Sequence, residues 1–214
     1  MTLALIISLT VVALSIVIDG VAYWTIRRFD RPEIVASHPT GREVAERVLQ
    51  ALGATGVRVV GGDVDSYRQA DRAVQLVDDR LDRASVSASA IAAHEAAHAA
   101  QHARGWSWFR LSAALTIVSI VTGPIAFVLF LVDWVLGLGW PTTVGALLAV
   151  PVVLAAVATA IVEVSAARQA RATLRTLDVN QKGVRRVLTA CSATYVTEAV
   201  FDLGYFTRRT KELT

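Results

Sequence analysis

The sequence predicts a mainly α-helical integral membrane protein, with three transmembrane helices and a small α+β cytoplasmic subdomain. Apolar residues make up 54% of the 214 positions, more than soluble domains usually contain. They are clustered, since residues 111–162 include no Lys or Arg and only one acid, Asp133. The 21 basic and 18 acidic residues nearly cancel, so nucleic acid is not an expected partner. A single cysteine, Cys191, excludes an internal disulfide framework.

The first expected span is the apolar N-terminal run, within a transmembrane anchor at residues 1–26. Its interior carries one charge, Asp19, which we expect to face other helices rather than lipid. Neither a basic leading region nor a small-residue cleavage site is present, so the run is predicted to be retained rather than cleaved as a signal peptide. Arg27 and Arg28 follow at once, and basic flanks stay in the cytoplasm.

The uncharged stretch is long enough for two further spans, because each transmembrane helix needs about 20 apolar residues. We predict them at 111–132 and 142–162, joined by an external turn over 133–141, with tryptophans near their ends as in membrane interfaces. The alternative is a buried helical hairpin of a soluble protein. In the membrane topology, regions 27–110 and 163–214 hold all 21 basic residues and lie on the cytoplasmic side of the cell membrane.

The region 27–110 is predicted to form the cytoplasmic subdomain. Its expected elements are a helix, a two-stranded hairpin and an alanine-rich helix, over residues 42–52, 57–60 with 73–77, and 88–104. Ser85 or Ser87 is placed to cap the second helix and Gly105 to end it. The closing segment, 184–206, is apolar with Glu198 and Asp202 on one face. We expect it to pack at the inner membrane face, with this acidic pair near arginines of 168–175, because a fourth span would leave basic residues outside.

The alanine-rich helix carries the most informative motif in the chain, His94-Glu95-Ala96-Ala97-His98. Residues four apart share a helix face, so the two imidazoles can bind one zinc ion. Glu95 then lies beside them as general base for the metal-bound water. The alternative is an alanine-rich packing helix whose histidines face water.

A catalytic zinc site usually has three protein ligands, so a third must come from elsewhere. His102 continues the helix face, but three ligands on one straight helix would span about 12 Å. Gln101 and Arg104 stand where the metzincin pattern needs Gly and His. Glu163 is the stronger candidate, since it is the first charge after 29 uncharged residues and follows the third span on the cytoplasmic side. Its alternative role is a solvated helix end.

Three runs together resemble a known family. Residues 92–101, 40–45 and 163–170 are similar to the YugP-like family of neutral zinc metallopeptidases, itself distantly similar to the HtpX-type membrane proteases. The resemblance extends from about residue 1 to about 206. It implies a gluzincin site in which His94, His98 and Glu163 bind Zn²⁺ and Glu95 is the catalytic base.

This chain departs from the family pattern in several places. The family usually has Gly where this chain has Ala97. Its His and Pro are missing from the stretch Asp65-Ser66-Tyr67-Arg68, which affects expected specificity if that stretch positions substrate. Ser165 replaces the usual Asp or Asn, and is a weaker hydrogen-bond partner for a metal-bound histidine; backbone carbonyls are the alternative acceptors.

The residues and the resemblance together predict a zinc-dependent endopeptidase that acts on protein or peptide substrates, membrane proteins included, at the cytoplasmic face of the bilayer. The expected donors to the oxyanion are Arg168, Tyr195 or Tyr67. The alternative is a catalytically inactive membrane adaptor or a structural zinc protein. Retention of Glu95 favours the enzyme, because a structural site needs ligands and no base.

Overall fold

The computed structural model describes residues 2–31, 38–177 and 179–201, with side chains described for 13–31, 38–177 and 179–194. This part of the chain is mostly helical with one small sheet, as predicted. Its elements are α1 (Thr2–Arg28), α2 (Gly41–Ala51), β1 (Arg58–Gly62), β2 (Ser66–Arg68), β3 (Ala73–Val77), α3 (Asp78–Leu81), α4 (Val86–Ala103), α5 (Ser107–Leu136), α6 (Trp140–Leu174) and α7 (Gln181–Phe201).

Helices α5 and α6 form an antiparallel hairpin, and both are long and apolar enough to cross a membrane. The predicted turn over 133–141 is wrong in extent, because only residues 137–139 lie between the two helices. Asp133 remains helical, and its carboxylate accepts hydrogen bonds from the Gly139 amide and the Thr142 hydroxyl. Helix α6 also continues twelve residues beyond the predicted end at 162, so Glu163 lies inside a helix.

Helix α1 is continuous over the predicted N-terminal span, and whether it crosses a membrane stays a prediction. Two hydrogen bonds join the residues after it to the start of α4. The Ser87 amide donates to the Phe29 carbonyl, and the Ser87 hydroxyl donates to the Asp30 carboxylate at 2.7 Å. The C-terminal end of α1 is therefore attached to the helix that carries the His94 motif.

The small sheet differs from the predicted hairpin. β1 pairs in parallel with β3, and β2, a strand that the sequence did not predict, pairs antiparallel with β3, giving the order β1-β3-β2. Parallel pairing requires the chain to return from the end of β1 to the start of β3. The ten residues between these strands are enough to make that return and to form β2 on the way. β2 therefore occupies a sheet edge and brings Tyr67, which is buried, beside α4.

Helix α4 lies at the centre of the subdomain. Ser85 caps it by accepting a hydrogen bond from the Ala88 amide, as one of the two predicted caps, and Gly105 follows its end with φ of +61°. Every residue from Val86 to Gln101 is buried, because α2, α6, α7 and the sheet surround the helix. Its many alanines lack long side chains, which lets these elements approach closely.

Helix α7 packs against α1, α4 and α6. The contact is close at Gly183, where an added Cβ would lie 2.8 Å from a Val86 methyl and 3.0 Å from the Phe29 ring. The side chains of Glu198 and Asp202 lie outside the described residues, so their expected contact with arginines of 168–175 stays a prediction. The membrane position of α7 and the domain boundaries also stay predictions.

Candidate metal centre

Helices α4 and α6 bring the three predicted ligands together. His94 and His98 occupy one face of α4, four residues apart, and Glu163 approaches from the facing side of α6. The three residues are 1%, 8% and 1% exposed, respectively. Such buried polar groups are unfavourable unless they are paired or hold a metal, so their convergence is itself evidence for a site.

The ligand atoms form a nearly equilateral triangle. The His94 Nε2 lies 3.0 Å from Glu163 Oε2, the His98 Nε2 lies 3.3 Å from the same oxygen, and the two Nε2 atoms are 3.2 Å apart. Ligands about 2.0–2.1 Å from a tetrahedral zinc ion lie about 3.3 Å from each other. The donor set and its spacing therefore fit a single divalent cation.

Gln101 joins the two halves of the site, a residue whose role the sequence did not predict. Its side-chain oxygen accepts a hydrogen bond from the His98 Nδ1 at 3.0 Å, and its nitrogen donates to the Val162 carbonyl at 3.2 Å. The first contact keeps the His98 proton on Nδ1 and leaves Nε2 as the metal-facing atom. The second attaches α4 to α6 immediately before Glu163.

Glu95 lies beside the ligands and faces an open volume. It is 3% exposed, and together with His94 it lines a cavity of about 780 Å³. The other walls of this cavity come from the end of α1, the segment before β2, α3 and the middle of α7. A carboxylate next to this His-His-Glu triangle and open to a cavity of this size is able to exchange protons with a molecule that enters the cavity.

Other residues proposed from the sequence lie elsewhere. The Tyr67 hydroxyl is 2.8 Å from the His102 Nδ1, and both line a separate cavity of about 230 Å³. Ser165 accepts a hydrogen bond from Gln169 rather than from a metal-ligating histidine, so Gln101 is the acceptor for His98. Arg168 is exposed on α6, and the Tyr195 side chain lies outside the described residues.

Three side chains around α4 have shifted pKa values with clear causes. Burial raises the pKa of Tyr67, partly opposed by the Arg72 guanidinium. Burial and then the same guanidinium lower the pKa of His102. Burial first, then the charge of Glu95, raises the pKa of Cys191 to about 12. Tyr67, His102 and Cys191 are therefore uncharged near neutral pH.

Comparison with known proteins agrees with this donor set. A family model described as "Putative neutral zinc metallopeptidase" matches residues 4–210. No curated protein and no solved structure gives a match with this chain. The identification of the metal as zinc rests on the family description, and the His-His-Glu cluster is compatible with it. Because the family model covers nearly the whole sequence, the chain belongs to this family of neutral zinc metallopeptidases.

Proposed function

We propose that the protein is a zinc-dependent endopeptidase of the HExxH gluzincin type, embedded in the cell membrane with its active site facing the cytoplasm. The observation that carries the proposal is the buried triangle of His94, His98 and Glu163 with Glu95 beside it at the wall of a cavity. Ligands alone would serve a structural site. A base at an open cavity supports hydrolysis.

The residues of this chain have separate roles in the proposed reaction. His94, His98 and Glu163 would hold a zinc ion, which would supply a Lewis acid able to lower the pKa of water to about 7 and to polarise a peptide carbonyl. Glu95 accepts the proton of the attacking water and returns it to the leaving amine. Gln101 orients the His98 ring through the 3.0 Å hydrogen bond to Nδ1.

The membrane location is supported by the exposure of the α5–α6 hairpin. Large apolar side chains on both helices are exposed, including Phe127 and Leu147 at 68% each, and lipid would cover them. Polar contacts lie between the helices instead, as in the 3.0 Å hydrogen bond between Ser112 and Thr159. If α5 crosses outward and α6 returns, α4 and Glu163 lie at the same membrane face, on the side of the basic residues.

The substrates we propose are proteins or peptides, including membrane proteins whose cleavable segment reaches the cytoplasmic interface. The C-terminal end of α1 supports this choice, because Tyr23, Ile26 and Arg27 of α1 line the same cavity as Glu95. A peptide in that cavity would lie beside the proposed membrane anchor.

The test compares the purified wild-type protein with Glu95→Gln on casein and on a membrane protein in detergent. We expect the variant to keep its zinc and lose proteolysis, while Glu46→Gln, a change at an exposed carboxylate of α2, keeps both. Equal proteolysis by Glu95→Gln and wild type would refute the role of Glu95. Zinc bound without proteolysis in either protein would favour the adaptor. Metal analysis of His98→Ala, expected to lose zinc, tests the ligand set.

A further inference from the structure

We propose that Arg80 stabilises the negative charge that develops on the substrate carbonyl oxygen during peptide hydrolysis, and that Asp65 holds Arg80 in position. The inference rests on the proposed peptidase function, which requires such a donor. Two donors expected from the sequence are placed elsewhere. The Tyr67 hydroxyl bonds to His102 at a separate cavity, and Arg168 is exposed on α6.

Arg80 lies on the wall of the cavity that Glu95 also lines. It belongs to α3, a short helix between β3 and the segment that leads into α4. Its side chain is only 19% exposed, so its charge acts in an environment poorer in water than the surface. A cation in such an environment interacts more strongly with a developing charge than it would in bulk solvent.

Asp65 fixes the orientation of this guanidinium. Arg80 Nη1 donates to Asp65 Oδ2, while Asp65 Oδ1 accepts a hydrogen bond from the Val77 amide at 3.0 Å. The carboxylate is itself 17% exposed and is thereby attached to the end of β3. A charged donor held in advance requires little reorganisation during the reaction, which is the property that makes oxyanion stabilisation effective.

The buried Cys191 thiol lines the cavity that Arg80 shares with His94 and Glu95. Burial raises its pKa most; Glu95 and Glu163 raise it further, and Arg80 lowers it. Arg80 is thus part of the site environment rather than of a remote surface.

The water oxygen forms a bond to the carbonyl carbon, Glu95 takes the water proton, and the carbonyl π pair moves onto oxygen beside the Arg80 guanidinium. When the C–N bond breaks, that pair re-forms the carbonyl, and the proton on Glu95 moves to the leaving nitrogen. Arg80 keeps all its protons throughout, as its very high pKa requires.

The experiment measures kcat, KM and zinc content of Arg80→Ala with a fluorogenic casein peptide, and its binding of a phosphinic peptide that imitates the tetrahedral intermediate. We expect kcat to fall about 10²–10³-fold, the effect of removing one oxyanion donor, with KM within about threefold of wild type and zinc content unchanged. Binding of the phosphinic peptide should weaken in parallel with kcat. Millimolar guanidinium should restore part of the kcat of Arg80→Ala and none in Glu95→Gln.

The matched control is Arg42→Ala, which removes another arginine paired with an aspartate, Asp82 at 3.9 Å, with its side chain 42% exposed. We expect it to keep wild-type kcat. An unchanged kcat in Arg80→Ala, with Glu95→Gln inactive, would overturn this inference and leave the proposed function intact. Activity retained in Glu95→Gln would overturn both.

If Arg80→Ala does not fold, Arg80→Lys decides the question. An ammonium keeps the charge but lacks the planar fork of donors, so we expect kcat to fall about tenfold at unchanged zinc content and thermal stability. A wild-type kcat in Arg80→Lys would overturn the inference. If Arg80→Lys lost activity and zinc to the same extent, the inference would also be overturned, because Arg80 would then have a structural role.

Discussion

The hydrogen bond between Gln101 and His98 leads to a quantitative prediction about metal affinity. Gln101 is 2% exposed and makes two hydrogen bonds, at 3.0 Å to His98 Nδ1 and at 3.2 Å to the Val162 carbonyl. In Gln101→Leu, similar volume is kept but both contacts are lost. The buried His98 N–H then has no acceptor from this side chain, which costs about 1–3 kcal/mol. Loss of such a partner typically weakens metal binding about 10–100-fold.

The assay is zinc titration against a chromogenic chelator, with wild type and Gln101→Leu in the same detergent. A 10–100-fold rise in the zinc dissociation constant corresponds to about 1.4–2.7 kcal/mol. The matched control is Gln169→Leu. That half-buried glutamine of α6 also makes two hydrogen bonds, donating to Ser165 Oγ and accepting from Arg104. Equal zinc affinity in wild type and Gln101→Leu would refute the reasoning, as would an equal loss in Gln169→Leu.

Three further predictions concern the framework. Gly183→Ala should lower the free energy of unfolding by about 1–3 kcal/mol through overpacking. Gly20→Ala should not, because an added Cβ there has no neighbour within 4 Å. A urea midpoint of Gly183→Ala equal to that of Gly20→Ala would contradict this prediction. Ser85→Ala should cost about 1 kcal/mol by removing the N-cap of α4, and an unchanged melting temperature would argue against the cap. Burial lowers the pKa of His102, so the unfolded chain binds the proton first and stability should fall as the pH drops below about 6.5. In His102→Gln this pH-dependent loss of stability should be smaller. The measurement is, for each protein, the difference between its urea midpoints at one pH above and one pH below that value.

The local parts of the site could be predicted because they depend on helix geometry alone. His94 and His98 share a face of α4 through their spacing of four, and Ser85 caps that helix through its own hydroxyl. Glu163 required an argument about topology, since it is 65 residues from His98 in sequence. The predicted return of the chain to the same membrane face made it the stronger candidate, and the family resemblance implied that it is the third ligand.

The parts that sequence reasoning missed depend on packing between distant elements. Gln101 follows His98 by three positions on α4, which is a usable signal, but its second contact with the Val162 carbonyl arises only when α6 packs beside it. β2 has three residues, too few for an alternation of apolar and polar positions to be recognised. The extent of the α5–α6 turn was misjudged because Asp133 binds the turn from within the helix rather than ending it.

The enclosure of α4 by other elements accounts both for its many alanines and for the pairing of its polar side chains. A helix surrounded by α2, α6, α7 and the sheet must be narrow, and small alanine side chains make it narrow. The same enclosure removes water from His94, His98 and Gln101, which makes every unsatisfied polar atom costly. Pairing of these atoms with Glu163 and with each other offsets that cost. The enclosure that stabilises the helix therefore also selects the residues able to hold a metal, and it leaves Glu95 at the point where the packing opens into the cavity.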